Sequence, residues 1–352
     1  MENPSQPRPR HSRTAIIPAI VVLSVVATSL AASVQGIAVI PDEPSCPSCT
    51  VSLQLWTTLE APEDQGICRY VHVAVDSRGY TYVGPDCTGW RVFVYDDSGK
   101  YVRMMGARGQ GPGELQGVEY VTVDSRNQLH VFEAFRRHVF SPDGLFLFSR
   151  PNPGRPSRAL EGPNGALYEQ ITFRAEYDAG RATQPLHLVT ADGRVALSFG
   201  RRELNYRADI DEILMERDFA VTPGGDVWSL TPNRYELDLY SAEGRFLRGI
   251  ERVAPWFREW SVPEENTSRM MSLHIDEEGR LWTLAAVANG NQYHSIIEVL
   301  NSDTGELVAR KSVDEIFSYW VGRRVLWRRR ELPNDDYAIE LWKAQMRGQD
   351  PR

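Results

Sequence analysis

The chain has 352 residues, 42% of them hydrophobic and 10% aromatic, with a formal net charge of −8. That is enough apolar material for one large or two ordinary domains. The acidic balance excludes nucleic acid as a partner, because phosphates require a basic face.

Arg8, Arg10 and Arg13 outweigh Glu2 in the first 13 residues. Residues 14–41 then carry no charge, and 15–32 are almost wholly apolar. This pattern predicts a basic cytoplasmic leader, 1–13, followed by one hydrophobic helix, 14–40. The helix is either a signal peptide or an uncleaved anchor. Ser29, Leu30 and Ala31 offer a small-residue cleavage site before Ala32. The run exceeds the ~7–15 residues of a signal core and reaches the ~20 that span a bilayer, which favours the anchor. In either case everything after Asp42 is exported, to the periplasm or cell surface.

Residues 41–49 read as a linker carrying a CxxC, Cys46 and Cys49. Thr50 stands where c-type haem attachment requires His, and no second CxxC completes a zinc site. A local disulfide and a redox pair both remain open, with the clamp favoured because the motif opens a strand rather than a helix. Cys68 and Cys87 flank the first hairpin. Centring its turn between Ser77 and Arg78 makes Val73 face Tyr82 and Cys68 face Cys87, within reach of a disulfide.

From residue 51 on, the pattern is of short alternating runs joined by tight turns. VSLQLWTTL (51–59) comes first. VHVAVDSRGYTYV (71–83), VEYVTVDSRNQLHVF (118–132), FAVTPGGDVWSL (219–230) and SLHIDEEGRLWTL (272–284) share one hairpin phrase. A degenerate copy covers 158–170. Second hairpins follow, turning at Gly99, Gly144, Gly193, Gly244 and Gly305, spaced by 45, 49, 51 and 61 residues. Repetition at this period predicts an all-β, six-bladed β-propeller of four-stranded antiparallel blades over 50–345. Five blades are complete: 67–106, 116–150, 157–200, 216–252 and 270–311. Residues 317–345 supply three strands of the sixth, so 51–59 must supply the fourth and close the ring. A long insertion, 251–269, separates blades four and five. Helix-like stretches occur at 208–216 and at the far C-terminus, and 346–352 form a tail.

The stretch 106–148 resembles the NHL-repeat group of six-bladed propellers. Gly109, Gly111, Pro112, Gly113, Glu114 and Leu115 match that group's glycine-rich phrase, and Asp124, Asn127, Arg137 and Gly144 its later landmarks. With the export segment and CxxC ahead of it, the chain looks like uncharacterised exported bacterial members. The resemblance implies the propeller fold and a central channel but no particular activity. No Walker lysine or dinucleotide pattern follows the glycines, so they read as an inter-blade connector.

Aligning the inner strands on their turns places His72, Tyr120, Asp218 and Ser272 at one level, with Arg158 joining from the degenerate copy. His274 falls at the next level, with Ala74, Thr122 and Ala220. Such a ring can hold a small polar ligand, or it can simply satisfy itself within a narrow channel. Loops after the second strands form a rim on the face of the glycine-rich loop: Asp86, Arg91, Glu133, Arg137 and Arg234. Arginines and aromatics there suit protein, peptide or glycan contacts. No nucleophile with an evident base is present, and no catalytic residue is assigned.

The expectation is an exported, membrane-tethered, non-catalytic binding or scaffold module, monomeric and without cofactor. The alternative is a metal-dependent propeller hydrolase or lyase, lactonase-like or amidating-lyase-like, with calcium or zinc in the channel.

Overall fold

The computed structural model describes residues 37–62, 65–85, 89–171, 184–200, 217–260, 267–333 and 336–348. The chain divides into two compact units, Met1–Val34 and Gln35–Arg352. The first unit, with the expected leader and most of the hydrophobic helix, lies outside the described residues, as does 208–216.

Six four-stranded antiparallel sheets follow one another as blades. Their inner strands are Val71–Val75, Tyr120–Val123, Pro156–Glu161, Phe219–Val221, Arg269–Ile275 and Tyr319–Val321. Each inner strand contacts the next around the axis, and the sixth returns to the first. The upper face is taken here as the one where these inner strands begin. Their hairpin turns lie on the lower face.

Blade six has the strand order Thr50–Leu59, Tyr337–Arg347, Val325–Glu331, Tyr319–Val321 from rim to axis. The N-terminal strand is therefore its outermost, paired antiparallel from Thr50↔Arg347 to Leu59↔Ile339. Both ends of the ring are covered by each other, which removes two exposed edges. The C-terminal stretch expected to be helix-like is this strand. Its apolar residues, including Ala338, Ile339, Leu341 and Ala344, pack in the sheet.

The core is distributed between blades. Each of the six blade–blade contacts has its own apolar cluster, such as Trp282, Trp320 and Leu326 between blades five and six. Burial at both faces of each sheet explains why middle strands such as Val92–Tyr95 read as continuous apolar runs.

The hairpin phrase has a physical reason. Asp76, Asp124 and Asp276 are buried at the turns of blades one, two and five. In each, Oδ1 accepts the amides two and four residues ahead at 2.8–3.1 Å. Oδ2 accepts from a second-strand donor six residues on: the Tyr82 hydroxyl at 3.4 Å, His130 Nε2 at 3.4 Å, and Trp282 Nε1 at 2.8 Å. Arg78, Arg126 and Arg280 cover the carboxylates. The turn spans three residues, with Gly79 at φ +91°, a conformation open to glycine. Val73 consequently faces Val83, one residue away from the expected Tyr82 register. Cys68 is disulfide-bonded. Cys87 itself lies outside the described residues, among which no cysteine is a free thiol.

Two N-terminal boundaries differ from expectation. Ile37–Ile40, the end of the expected hydrophobic helix, is a strand paired parallel to Phe246–Arg252, making a fifth strand on blade four. The expected linker is docked rather than free. Asp42 Oδ1 meets Arg252 Nη2 at 3.0 Å and also pairs with Arg310, and both arginines bind the buried Glu298. Ser45 N donates to Leu307 O at 2.7 Å. Likewise 251–269 is no loose insertion over its described part: Ala254 and Phe257 are buried between blades four and five.

The turn carboxylates Asp124 and Asp276, both held below their ordinary value, make stability acid-sensitive. Burial pushes the Asp124 carboxyl up, but His130, the Gln128 amide and Arg126 outweigh it and hold it at about 2. A depressed carboxyl stabilises the fold above its unfolded value of about 4. That stability is lost as pH falls towards about 2. Asp124→Asn should cost about 1–3 kcal/mol at neutral pH and flatten the acid limb in denaturant titrations. An unchanged acid limb contradicts this assignment.

Candidate functional site

The inner strands bring the expected ring together. Arg158 is the hub. Its Nε lies 2.8 Å from Asp218 Oδ1, and its Nη1 donates to the Trp320 carbonyl at 3.1 Å. Asp218 Oδ2 accepts from the Ser272 hydroxyl at 2.5 Å and from the Leu273 amide at 2.8 Å. The Trp320 amide donates back to Ser272 Oγ at 3.1 Å. Tyr120 reaches the same guanidinium, and the His72 ring packs edge-on against Tyr120 at 5.5 Å. Burial raises the Tyr120 hydroxyl, Arg158 draws it back down, and Asp218 adds to the rise.

Strands from blades two to six thus meet across the axis in one bonded cluster. A guanidinium with its charge matched by Asp218 is a plug rather than a receptor, because the charge is already spent. It splits the channel in two. The lower cavity, of about 270 Å3, is lined by Thr122, Glu161, Ala220, His274 and Trp320 among others. The upper cavity, of about 480 Å3, is lined by Arg69, Tyr70, His72, Ile316, Tyr319 and Arg329 among others. Tyr120 and Arg158 line both. The two histidines therefore open onto opposite sides of the plug, as their different levels imply. Burial, reinforced by Arg158, pushes His274 down to about 4, so it is neutral at physiological pH.

These residues do not fit a calcium or zinc centre. Among the described residues no group of three or more His, Cys, Asp or Glu side chains converges as metal ligands. Asp218 is engaged by Arg158, and Glu161 accepts from Ser125 at 2.6 Å at the turn.

The expected rim is only partly a rim. Asp86 lies outside the described residues. Arg91 stacks on Trp90 at 3.5 Å and bonds Gln65. Arg234 is exposed on its loop. Glu133 and Arg137 are buried instead: Glu133 turns onto its own blade and the connector ahead of it, and Arg137 turns into the contact with blade three. Glu133 meets His138 Nε2 at 3.3 Å and accepts the Gln116 amide at 2.5 Å. Arg137 faces the buried Glu169 of blade three at 3.9 Å. Burial pushes that carboxyl up to about 7, against the opposing pull of Arg137. Neither is available to a partner.

Cys46 and Cys49 form a disulfide with Cα atoms 5.3 Å apart. Both are buried within the blade five–six cluster that also holds Val51 of the closing strand. Buried sulfurs lack the access that thiol–disulfide exchange requires, so the pair is a clamp on the strand that closes the ring.

Residues 58–144 match a family model described as a 6-bladed beta-propeller. A candidate exported protein of Bacteroides fragilis is 11% identical over 88% of this chain and 100% of its own, with a TM-score of 0.60. The chain is a six-bladed β-propeller. The family match overlaps the 106–148 stretch that carries the NHL-type resemblance. Other similar structures are a calcium-binding regucalcin of Agrobacterium tumefaciens and a gluconolactonase of Xanthomonas campestris. The first is 13% identical over 86% of this chain and 95% of its own, with a TM-score of 0.46. The second is 14% identical over 84% and 90%, also with a TM-score of 0.46. No curated protein matches the chain.

The mouth residues Arg69, Tyr70, Ile316, Tyr319 and Arg329 were not singled out by aligning hairpin turns. Most of them precede an inner strand, where that alignment has no reference point. The available signal was Arg69 and Tyr70 just ahead of inner strand one, and the apolar Ile316 and Phe317 just ahead of inner strand six.

If Arg158 and Asp218 form one desolvated pair, removing either leaves the other unmatched. Arg158→Met and Asp218→Leu should each cost about 3–5 kcal/mol in denaturant melts. The double variant should lose clearly less than their sum, and strict additivity contradicts the pairing.

Proposed function

We propose that this propeller is an extracytoplasmic, non-catalytic binding module, tethered by its N-terminal hydrophobic segment, that receives a ligand at the upper mouth of its channel. The observation that carries this reading is the plug with an open cup above it. The axis spends its own charges, while the cup keeps exposed aromatic and apolar surface. Tyr70 is 66% exposed, and Ile316 and Tyr319 are each about two-fifths exposed. Trp327 forms part of the wall. A volume of about 480 Å3 is within the range of ~300–1,000 Å3 found for small-ligand sites, whereas the lower cavity falls below it.

The location reading rests on the basic leader, the uncharged run and the Cys46–Cys49 disulfide. Disulfides persist in oxidising compartments. The rim loops, with Arg91 and Arg234, extend the same face and suit a protein, peptide or glycan beside the bound ligand. The hydrolase or lyase alternative draws no support from the described residues, because the channel acids and histidines do not converge.

The uncharged fluorophore N-phenyl-1-naphthylamine should bind the purified full-length protein with saturable enhancement. Tyr70→Ser/Tyr319→Ser should weaken that binding about tenfold, in keeping with ~0.5–1.5 kcal/mol for each aromatic contact removed. Binding that these substitutions leave untouched rejects the upper mouth as the ligand surface.

A further inference from the structure

We infer that the ligand of the upper mouth is an amphipathic organic anion: a compact apolar or aromatic body bearing a carboxylate-type group. This rests on the reading of the mouth as the ligand surface, and it follows from how the mouth's charges are partnered.

On an acidic chain, the residues lining the upper cavity include three arginines and no Asp or Glu. One, Arg158, is matched by Asp218. The other two, Arg69 and Arg329, have no carboxylate partner among the described residues. The Arg329 guanidinium donates to the Arg69 carbonyl across the junction of blades six and one. Each also lies over a neighbouring tyrosine ring: Arg69 5.9 Å from the Tyr70 centroid and Arg329 5.7 Å from that of Tyr337. These contacts orient the two cations without neutralising them.

The contrast within one strand is instructive. Arg328 and Arg330 point to the opposite face of the sheet and both bind Glu340, at 2.7 and 2.9 Å. Strand alternation turns Arg329, with Trp327, towards the cavity instead. A carboxylate was thus supplied to the arginines on one face and to none on the other. The adjoining smaller cavity, which shares Arg158 and Tyr319 with the mouth, is also lined by Arg269. Arg269 likewise lacks a carboxylate partner among the described residues and lies 5.8 Å from the Trp260 ring.

Guanidinium groups gathered at one concave site repel each other, and an anion relieves that repulsion while gaining charge-assisted hydrogen bonds. The apolar half of the ligand follows from the wall of Tyr70, Ile316, Tyr319 and Trp327. The cup is closed beneath by the Arg158 plug, so it fits a compact free molecule rather than an extended chain passing through.

Two fluorophores with the same anilinonaphthalene body test this. The anionic 8-anilinonaphthalene-1-sulfonate should bind the full-length protein about tenfold more tightly than neutral N-phenyl-1-naphthylamine, as one charge-assisted contact predicts. Arg69→Gln/Arg329→Gln should abolish that preference, weakening the anionic dye about tenfold and the neutral dye far less. Equal affinity of the wild type for the two dyes overturns the anion inference but leaves the mouth as a binding surface. A preference that survives the double substitution also overturns the inference. Failure of both dyes to bind, or binding insensitive to Tyr70→Ser/Tyr319→Ser, overturns the mouth reading itself.

Discussion

One pairing holds this molecule in a ring: the first propeller strand against the last. Thr50–Leu59 hydrogen-bonds along Tyr337–Arg347, so the chain ends are tied at the rim of a single blade. Blades pack only on their neighbours, and an open ring would expose an apolar face at each end. The surrounding features reinforce this seam. The Cys46–Cys49 clamp packs beside the closing strand, and Asp42 anchors the preceding segment to Arg252 and Arg310. Ile37–Ile40 extends the hold to blade four.

Closure also creates the axis. Six inner strands brought face to face present side chains that no single hairpin could satisfy. Arg158, Asp218, Ser272 and Tyr120 satisfy one another there, drawn from four different blades. The same closure forms the upper mouth, because blade one and blade six become neighbours only when the ring is shut. Arg69 and Tyr70 then meet Ile316, Tyr319 and Arg329 around one cavity.

The repeat was legible because its physical cause is local. A buried turn carboxylate binds two nearby amides and one donor six residues on, so spacing and residue type travel together in Asp76, Asp124 and Asp276. Level alignment on those turns was enough to place Arg158, Asp218 and Ser272 in contact, even from the most degenerate hairpin. The missed features have long-range causes. The burial of Arg137 depends on a blade–blade contact with Glu169, and that of Glu133 on His138 and the Gln116 amide, which the hairpin phrase does not encode. The strand at Ile37–Ile40 looked like the end of an apolar helix because it pairs with a segment more than 200 residues away. The one-residue shift of the first hairpin came from a three-residue turn where a two-residue turn was assumed. Of the mouth residues, Arg69, Tyr70 and Ile316 precede the inner strands, and Tyr319 and Arg329 belong to the last blade, which lacks the hairpin phrase, so periodicity could not find them.

The account makes the upper mouth a ligand cup above a plugged axis. Hydrogen exchange on the full-length protein, with and without saturating 8-anilinonaphthalene-1-sulfonate, tests this most directly. The account predicts slowed exchange in 69–75, 316–321 and 327–331, with no change in the lower turns at 122–126 and 274–280. Protection at the lower turns, or none around the upper mouth, would contradict it.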